Sequence, residues 1–249
     1  METDSSNHHS EHTPARIRRR LAQGPNHSYL KDFIYGAIDG AVTTFAIVAG
    51  VAGAGLSAGI VIVLGAANLL ADGFSMAISN FLGSRAAEQQ GQKARKEEED
   101  HIELYPEGER EEIRQIFAAK GFEGPELDHA VGVITADRKR WIDTMIQEEL
   151  GLPLSNPSAS KAGLVTFGAF VIAGAVPLLP YAVNLITDNA LQAFLISALM
   201  TGVTFFSIGA LKSRFVHQRW LTAGAETLAI GGAAAAIAYG IGSLLAGVA

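Results

Sequence analysis

Residues 58–106 read AGIVIVLGAANLLADGFSMAISNFLGSRAAEQQGQKARKEEEDHIELYP. Residues 58–82 are apolar enough to cross a bilayer, for which about 20 such residues suffice. Their only charged side chain is Asp72. From Arg85 onward the stretch is densely charged, yet nothing before Pro106 breaks a helix except the tolerable Gly91. The spacing therefore predicts one helix that leaves the membrane and continues into water, ended by a proline that lacks a backbone donor.

Working outward, four further apolar runs have spanning length: about 33–54, 162–181, 190–211 and 223–248. Short links join the first pair, at 53–57, and the third and fourth, at 183–189. Pro177 and Pro180 are expected to end or kink the third span. With five spans, one side of the membrane holds the N-terminus, the segment 85–160 and the link between the last two spans. With Lys161 at the start of the third span, that side carries all 19 Lys and Arg. The positive-inside rule puts it in the cytoplasm and the C-terminus outside. The expected fold is an all-α membrane protein. Its parts are a disordered cytoplasmic tail (1–31), helices 1–2 (32–84), a cytoplasmic helical insert (85–160) and helices 3–5 (161–249).

Composition agrees with this partition. The chain is 49% hydrophobic with mean hydropathy +0.23, and 17 of its 25 acidic residues lie between Glu88 and Glu149. A net charge of −6 argues against a nucleic-acid partner, which needs a basic face. No cysteine is present, so any metal must be held by oxygen, imidazole or thioether ligands. The tail carries His8, His9 and His12 before Arg16, Arg18, Arg19 and Arg20. It reads as a topology determinant, or as a metal-collecting segment. No signal peptide is read there.

Asp39 and Asp72 are the only charged side chains between Asp32 and Arg85. A carboxylate at membrane depth is costly and marks an ion or proton pathway, facing a bundle interior. Asn68, Asp72 and Met76 recur at i, i+4 and i+8, along one helix face. Carboxylate, amide and thioether together suit a divalent transition metal better than Ca2+ or Mg2+. In the insert, helices are expected over about 107–120, from Gly124-Pro125, and from a cap at Asp137 to Leu150. Glu98 and His101, Glu109 and Glu112, and Met145 and Glu149 each share a helix face. They could enclose metal ions, or form a solvated charged surface like Glu97, Glu99, Asp100, Glu103 and Glu111. The small-residue pattern Gly36-x-x-x-Gly40 brackets Asp39 and suits close helix packing.

These residues, in this order, resemble the vacuolar iron transporter family from about Asp32 to the C-terminus. The pieces that carry the resemblance are Asp39-Gly40, the run Ala67-Asn-Leu-Leu-Ala-Asp-Gly-Phe-Ser-Met76, and Trp141-Ile-Asp-Thr-Met145-Ile-Gln-Glu-Glu149-Leu-Gly-Leu. The resemblance implies a five-helix homodimer that exchanges cytosolic Fe2+ for protons, with the second helix extending into a metal-binding domain. It implies that Asp39 and Met76 hold metal in the membrane, and that Glu98, Glu109, Glu112, Met145 and Glu149 hold it in the insert. Asn68 stands where a plant pattern has glutamate, with Asp72 one turn on. His101 replaces an insert glutamate and Ile146 a second methionine.

The expected function is export of Fe2+, and also Mn2+, from the cytosol against protons, by a protein that is not an enzyme and has no prosthetic group. The expected partners are metal ions, protons, the lipid bilayer and a second copy. A bacterial inner membrane is expected first and a vacuolar membrane second. Two other classes stay open: a membrane-anchored metal sensor or structural protein, and a ferritin-like oxidase suggested by Glu98-x-x-His101. The oxidase lacks the second Glu-x-x-His that such sites need.

Overall fold

The computed structural model describes residues 13–23, 28–187, 190–216 and 218–248. The described residues form helices joined by turns and short loops, with no strand among them. In chain order the helices are α1 Pro14–Gln23, α2 Leu30–Gly53, α3 Ala58–Leu104, α4 Pro106–Ala119, α5 Gly124–Thr135, α6 Arg138–Glu148 and α7 Ala159–Ala175, then α8 Leu179–Thr187, α9 Ala190–Lys212 and α10 Trp220–Leu245. A single 3-10 turn, Val176–Leu178, joins α7 to α8.

Among the described residues, five segments are long and apolar enough to cross a membrane: Leu30–Gly53, Ala58–Leu104, Ala159–Asn184, Gln192–Lys212 and Trp220–Leu245. The chain is a multi-pass integral membrane protein. α3 has 47 residues, so at 1.5 Å per residue it is about 70 Å long, against a hydrocarbon core of about 30 Å. Its densely charged second half, from Arg85 on, extends past that thickness and leads into α4–α6.

The proline-bearing third span bends rather than ends. Pro177 sits inside the 3-10 turn, and its carbonyl accepts a hydrogen bond from Ser197 Oγ at 2.7 Å. That replaces a helix bond which the imino acids cannot make, and the helix resumes to Thr187. Within the tail, Pro14–Gln23 is helical, with Pro14, Ile17 and Leu21 at helical spacing in the arginine run. His8, His9 and His12 lie outside the described residues.

α2 is the central helix, packed against α7, α10, α9 and α3. Its glycines permit this. A Cβ on Gly40 would stand 2.3 Å from the Phe170 carbonyl oxygen, and one on Gly36 would stand 2.4 Å from that of Thr166. α10 presses on the other side of α2, where a Cβ on Gly242 would meet the Gly50 carbonyl at 2.0 Å. Small residues thus let α2 and α7 approach backbone to backbone, as membrane helices do. Gly55, at φ +68°, turns the chain from α2 into α3 in the left-handed region that glycine tolerates.

The insert has its own core of Ile113, Leu127, Val131, Trp141 and Met145, with Ile102, Ile116, Phe117 and Ile134 packed on it. Asp137 Oδ1 accepts from Arg140 N at 2.7 Å and caps α6. Pro106 opens α4, where its missing donor costs nothing. The α3 extension is tied to α6 by ion pairs, Arg95 with Asp143 and Arg138 with Glu103.

Candidate metal-binding sites

Two clusters result, one in the membrane and one in the insert. In the membrane, Asp39 and Asp72 come together. With Tyr35, Ser75, Met76, Ser79 and Asn80 they line a cleft of about 410 Å3 between α2 and α3. α3 contributes positions 72, 75, 76, 79 and 80, the stripe that a 3.6-residue period places on one face. α2 contributes Tyr35 and Asp39, one turn apart. Tyr35 is 63% exposed, and Ser75 and Ser79 are also exposed. The cleft therefore opens sideways, to the outside of the single chain, rather than into its bundle interior.

An asparagine bridge from α3 to α2 stands at each end of the cleft. Asn80 Nδ2 donates to Asp32 Oδ1 at 2.8 Å and lies 2.7 Å from Thr166 Oγ1. Asn68 is not among the cleft-lining residues. Its amide nitrogen is turned to the hydroxyls of Thr43 and Thr44, at 3.2 and 3.5 Å. Asn68 thus ties two helices together where the sequence suggested a ligand. Sequence reasoning missed Tyr35, Ser75, Ser79 and Asn80, although their spacing from Asp39 and Asp72 was available as a signal. It also missed Glu226 in α10, which pairs with Lys212 at 3.7 Å and accepts from Gln218.

In the insert, one ligand atom each from Glu98, His101 and Glu109 lies within 4.8 Å of the others. Glu98 lies near the C-terminal end of α3, His101 is one turn on, and Glu109 is in the first turn of α4. The break at Tyr105–Pro106 folds α4 back so that the three meet. His101 Nδ1 lies 3.5 Å from Glu109 Oε1. Glu98 and Glu109 are 4% and 5% exposed, yet Glu98 Oε2 and Glu109 Oε2 find no hydrogen-bond partner among the described residues. Buried polar atoms are normally paired, so two unpartnered carboxylate oxygens in one cluster with an imidazole form a donor set that could hold a cation.

Electrostatics agree. Burial pushes the Glu98 carboxyl up to about 7, helped by the charges of Glu149, Glu109 and Glu112 and opposed by His101. Burial also raises Glu109, with Glu112 and Glu149 adding to it and His101 and a hydrogen bond with Glu98 opposing. Glu149, at the end of α6, is raised by burial and then by Glu112, against His101. Glu112 and Glu149 are exposed and rim the buried pair. Met145 lies one turn before Glu149 and is fully buried in the insert core. Asp143, by contrast, is already engaged: burial alone would raise it, but hydrogen bonds and charge from Lys139 and Arg95 outweigh that and lower it.

Comparison with known proteins adds a family. The VIT family model matches residues 30–243. A vacuolar iron transporter of Toxoplasma gondii is 37% identical over 225 residues, 87% of this chain and 74% of that protein. Vacuolar iron transporter 1 of Arabidopsis thaliana is 32% identical over 211 residues, 84% of this chain and 83% of that protein. Vacuolar iron transporter 1 of Oryza sativa subsp. japonica is 31% identical over 238 residues, 95% and 91% of the two chains.

Proposed function

The chain belongs to the VIT family, and from that premise we propose that it exports Fe2+, and also Mn2+, from the cytosol in exchange for protons. The observation that carries the reading is the cleft holding Asp39, Asp72 and Met76 at membrane depth. All Lys and Arg lie in the tail, in the insert and its flanks, or in the link between α9 and α10, so the stretch between Lys31 and Arg85 that holds both carboxylates contains no basic residue. A carboxylate so placed must be neutralised. Protons and divalent cations are the species that can do so in turn, and each displaces the other. That exchange couples the two fluxes without a nucleotide.

The insert collects metal for this route. The orphaned oxygens of Glu98 and Glu109, with His101 beside them and Glu112 and Glu149 at the rim, form a hard and borderline donor set suited to Fe2+ or Mn2+. The ion then sheds water into the cleft, where the Met76 sulfur favours a transition metal over Mg2+ or Ca2+. The tail, insert and α9–α10 link face the cytoplasm, so export runs from the insert toward the α2–α3 turn.

The lateral opening of the cleft supports a homodimer. Two half-buried carboxylates cannot face hydrocarbon, and a second copy laid over α2 and α3 would enclose them. Metal uptake into proteoliposomes containing a pH-sensitive dye tests the whole reading. Fe2+ should enter as protons leave, and faster under an outward proton gradient. Flux indifferent to the gradient and silent in the dye would mean a uniporter or channel.

A further inference from the structure

On the side of α3 away from the metal cleft, two cavities join to form an amphipathic groove. The lower one, about 360 Å3, is apolar and lies between α3 and α7, walled by Phe74, Ile78, Phe81, Leu164 and Phe167. The upper one, about 470 Å3, is polar and lined by Arg85, Glu88, Gln89, Gln92 and Asn156. Phe81 and Ser160 line both, so the two are continuous. Phe74 is two residues from Asp72 and two from Met76, about 200° around the helix. A second copy seated on the metal cleft leaves this groove to the lipid.

The boundary between the halves falls where the apolar part of α3 gives way to its charged part. Arg85 is the first charged side chain on α3 after Asp72. Its guanidinium lies 5.9 Å from the centre of the Phe81 ring, within range of a cation–π contact. Below it, Leu164 is 73% and Phe74 61% exposed, so the apolar half faces the hydrocarbon. Above it, Arg85 and Glu88 make no ion pair with each other or with any other described residue, although they stand one turn apart. The side chains of Gln89, Gln92 and Asn156 likewise make no hydrogen bond among the described residues. The groove thus offers one cation, one anion and three amides directly over an acyl-chain slot.

We propose that this groove binds one phospholipid of the cytoplasmic leaflet whose headgroup carries both a phosphate and a primary ammonium, as in phosphatidylethanolamine. Arg85 takes the phosphate as a charge-assisted donor, and Glu88 takes the ammonium. An acyl chain fills the slot between Phe74, Phe81 and Phe167. A lipid with phosphate alone leaves Glu88 facing an anion. A quaternary amine offers Glu88 no hydrogen to accept.

Native mass spectrometry of the full chain, extracted from liposomes of equal phosphatidylethanolamine, phosphatidylglycerol and phosphatidylcholine, tests this. The wild type should retain phosphatidylethanolamine in preference to the other two. Arg85→Gln should lower phospholipid retention roughly tenfold, the fold-change that one charge-assisted hydrogen bond is worth. Glu88→Gln should keep retention but erase the preference. Leu164→Trp should fill the slot and displace lipid. Lys93→Gln, which removes the same charge from an exposed position outside the groove, should change nothing. Equal retention of the three lipids with no loss in Arg85→Gln, or a wild-type preference for phosphatidylglycerol, would overturn the proposal.

Discussion

The imidazole Nδ1 of His101 stands 3.5 Å from Glu109 Oε1, across the corner where α3 gives way to α4. A helix end and a helix start, separated only by Tyr105, deliver these groups to the same point as buried Glu98. The corner is therefore the part of the insert most sensitive to charge.

Metal binding at this corner should depend on pH. Glu98 titrates at about 7, and a metal ion competes with its proton. Affinity of the full-length protein for Co2+ should fall steadily below pH 7 and level off above it. Binding at pH 6 should release protons. Isothermal titration in two buffers of different ionisation enthalpy reads both effects.

The metal-free insert should show the opposite trend in stability. The folded value for Glu98 is raised above its ordinary 4.5, so the folded state holds the proton more tightly than the unfolded one. The stabilisation is full below about 4.5 and is lost as pH rises through about 7. Thermal melting followed by Trp141 fluorescence, with chelator present, should give a lower midpoint at pH 8 than at pH 5.5. Added metal should reverse that order.

His101→Ala should weaken insert binding by roughly tenfold or more, the scale for loss of a group that tunes metal ligands. It also removes the group that opposes the upward shifts of Glu98 and Glu109, so the pH profile should move to higher pH. His101→Glu should restore affinity at high pH while keeping the shifted profile. Metal titrations of the three proteins across pH 6–9 distinguish lost ligation from lost fold.

Gly40→Ala should destabilise the protein by about 1–3 kcal/mol, the usual cost of overpacking. Its Cβ would press on the Phe170 carbonyl, forcing α2 away from α7 and shifting the adjacent Asp39. Gly59→Ala, whose Cβ has only Ser57 Oγ at 3.8 Å, should be neutral or slightly stabilising. Thermal denaturation in detergent compares them.

The five-span, all-helical plan was legible because apolar runs and charge segregation are local properties of the chain. The lack of a helix breaker from Ser84 to Tyr105 announced that α3 runs on past its apolar half, and Asp137 announced the α6 cap. What stayed hidden depends on distant partners. The bend at Pro177 continues as helix because Ser197 takes its carbonyl, and no local pattern encodes that bond. Asn68 and Asp72 share a face at i, i+4, yet Asn68 is drawn to Thr43 and Thr44 on α2 while Asp72 joins the cleft. Glu98 differs from Glu97 and Asp100 only by its angle around α3, which is what buries it.

If metal crosses the membrane through the cleft of Asp39 and Asp72, transport requires both carboxylates. The most direct measurement is Fe2+ uptake by proteoliposomes of wild type, Asp39→Ala and Asp72→Ala, each first shown to bind Co2+ normally at the insert. Removing a half-buried, unpaired carboxylate relieves a cost, so both variants should fold. Uptake should fall to the level of empty liposomes for Asp39→Ala and close to it for Asp72→Ala, with no proton signal. Wild-type uptake rates in both variants would contradict it.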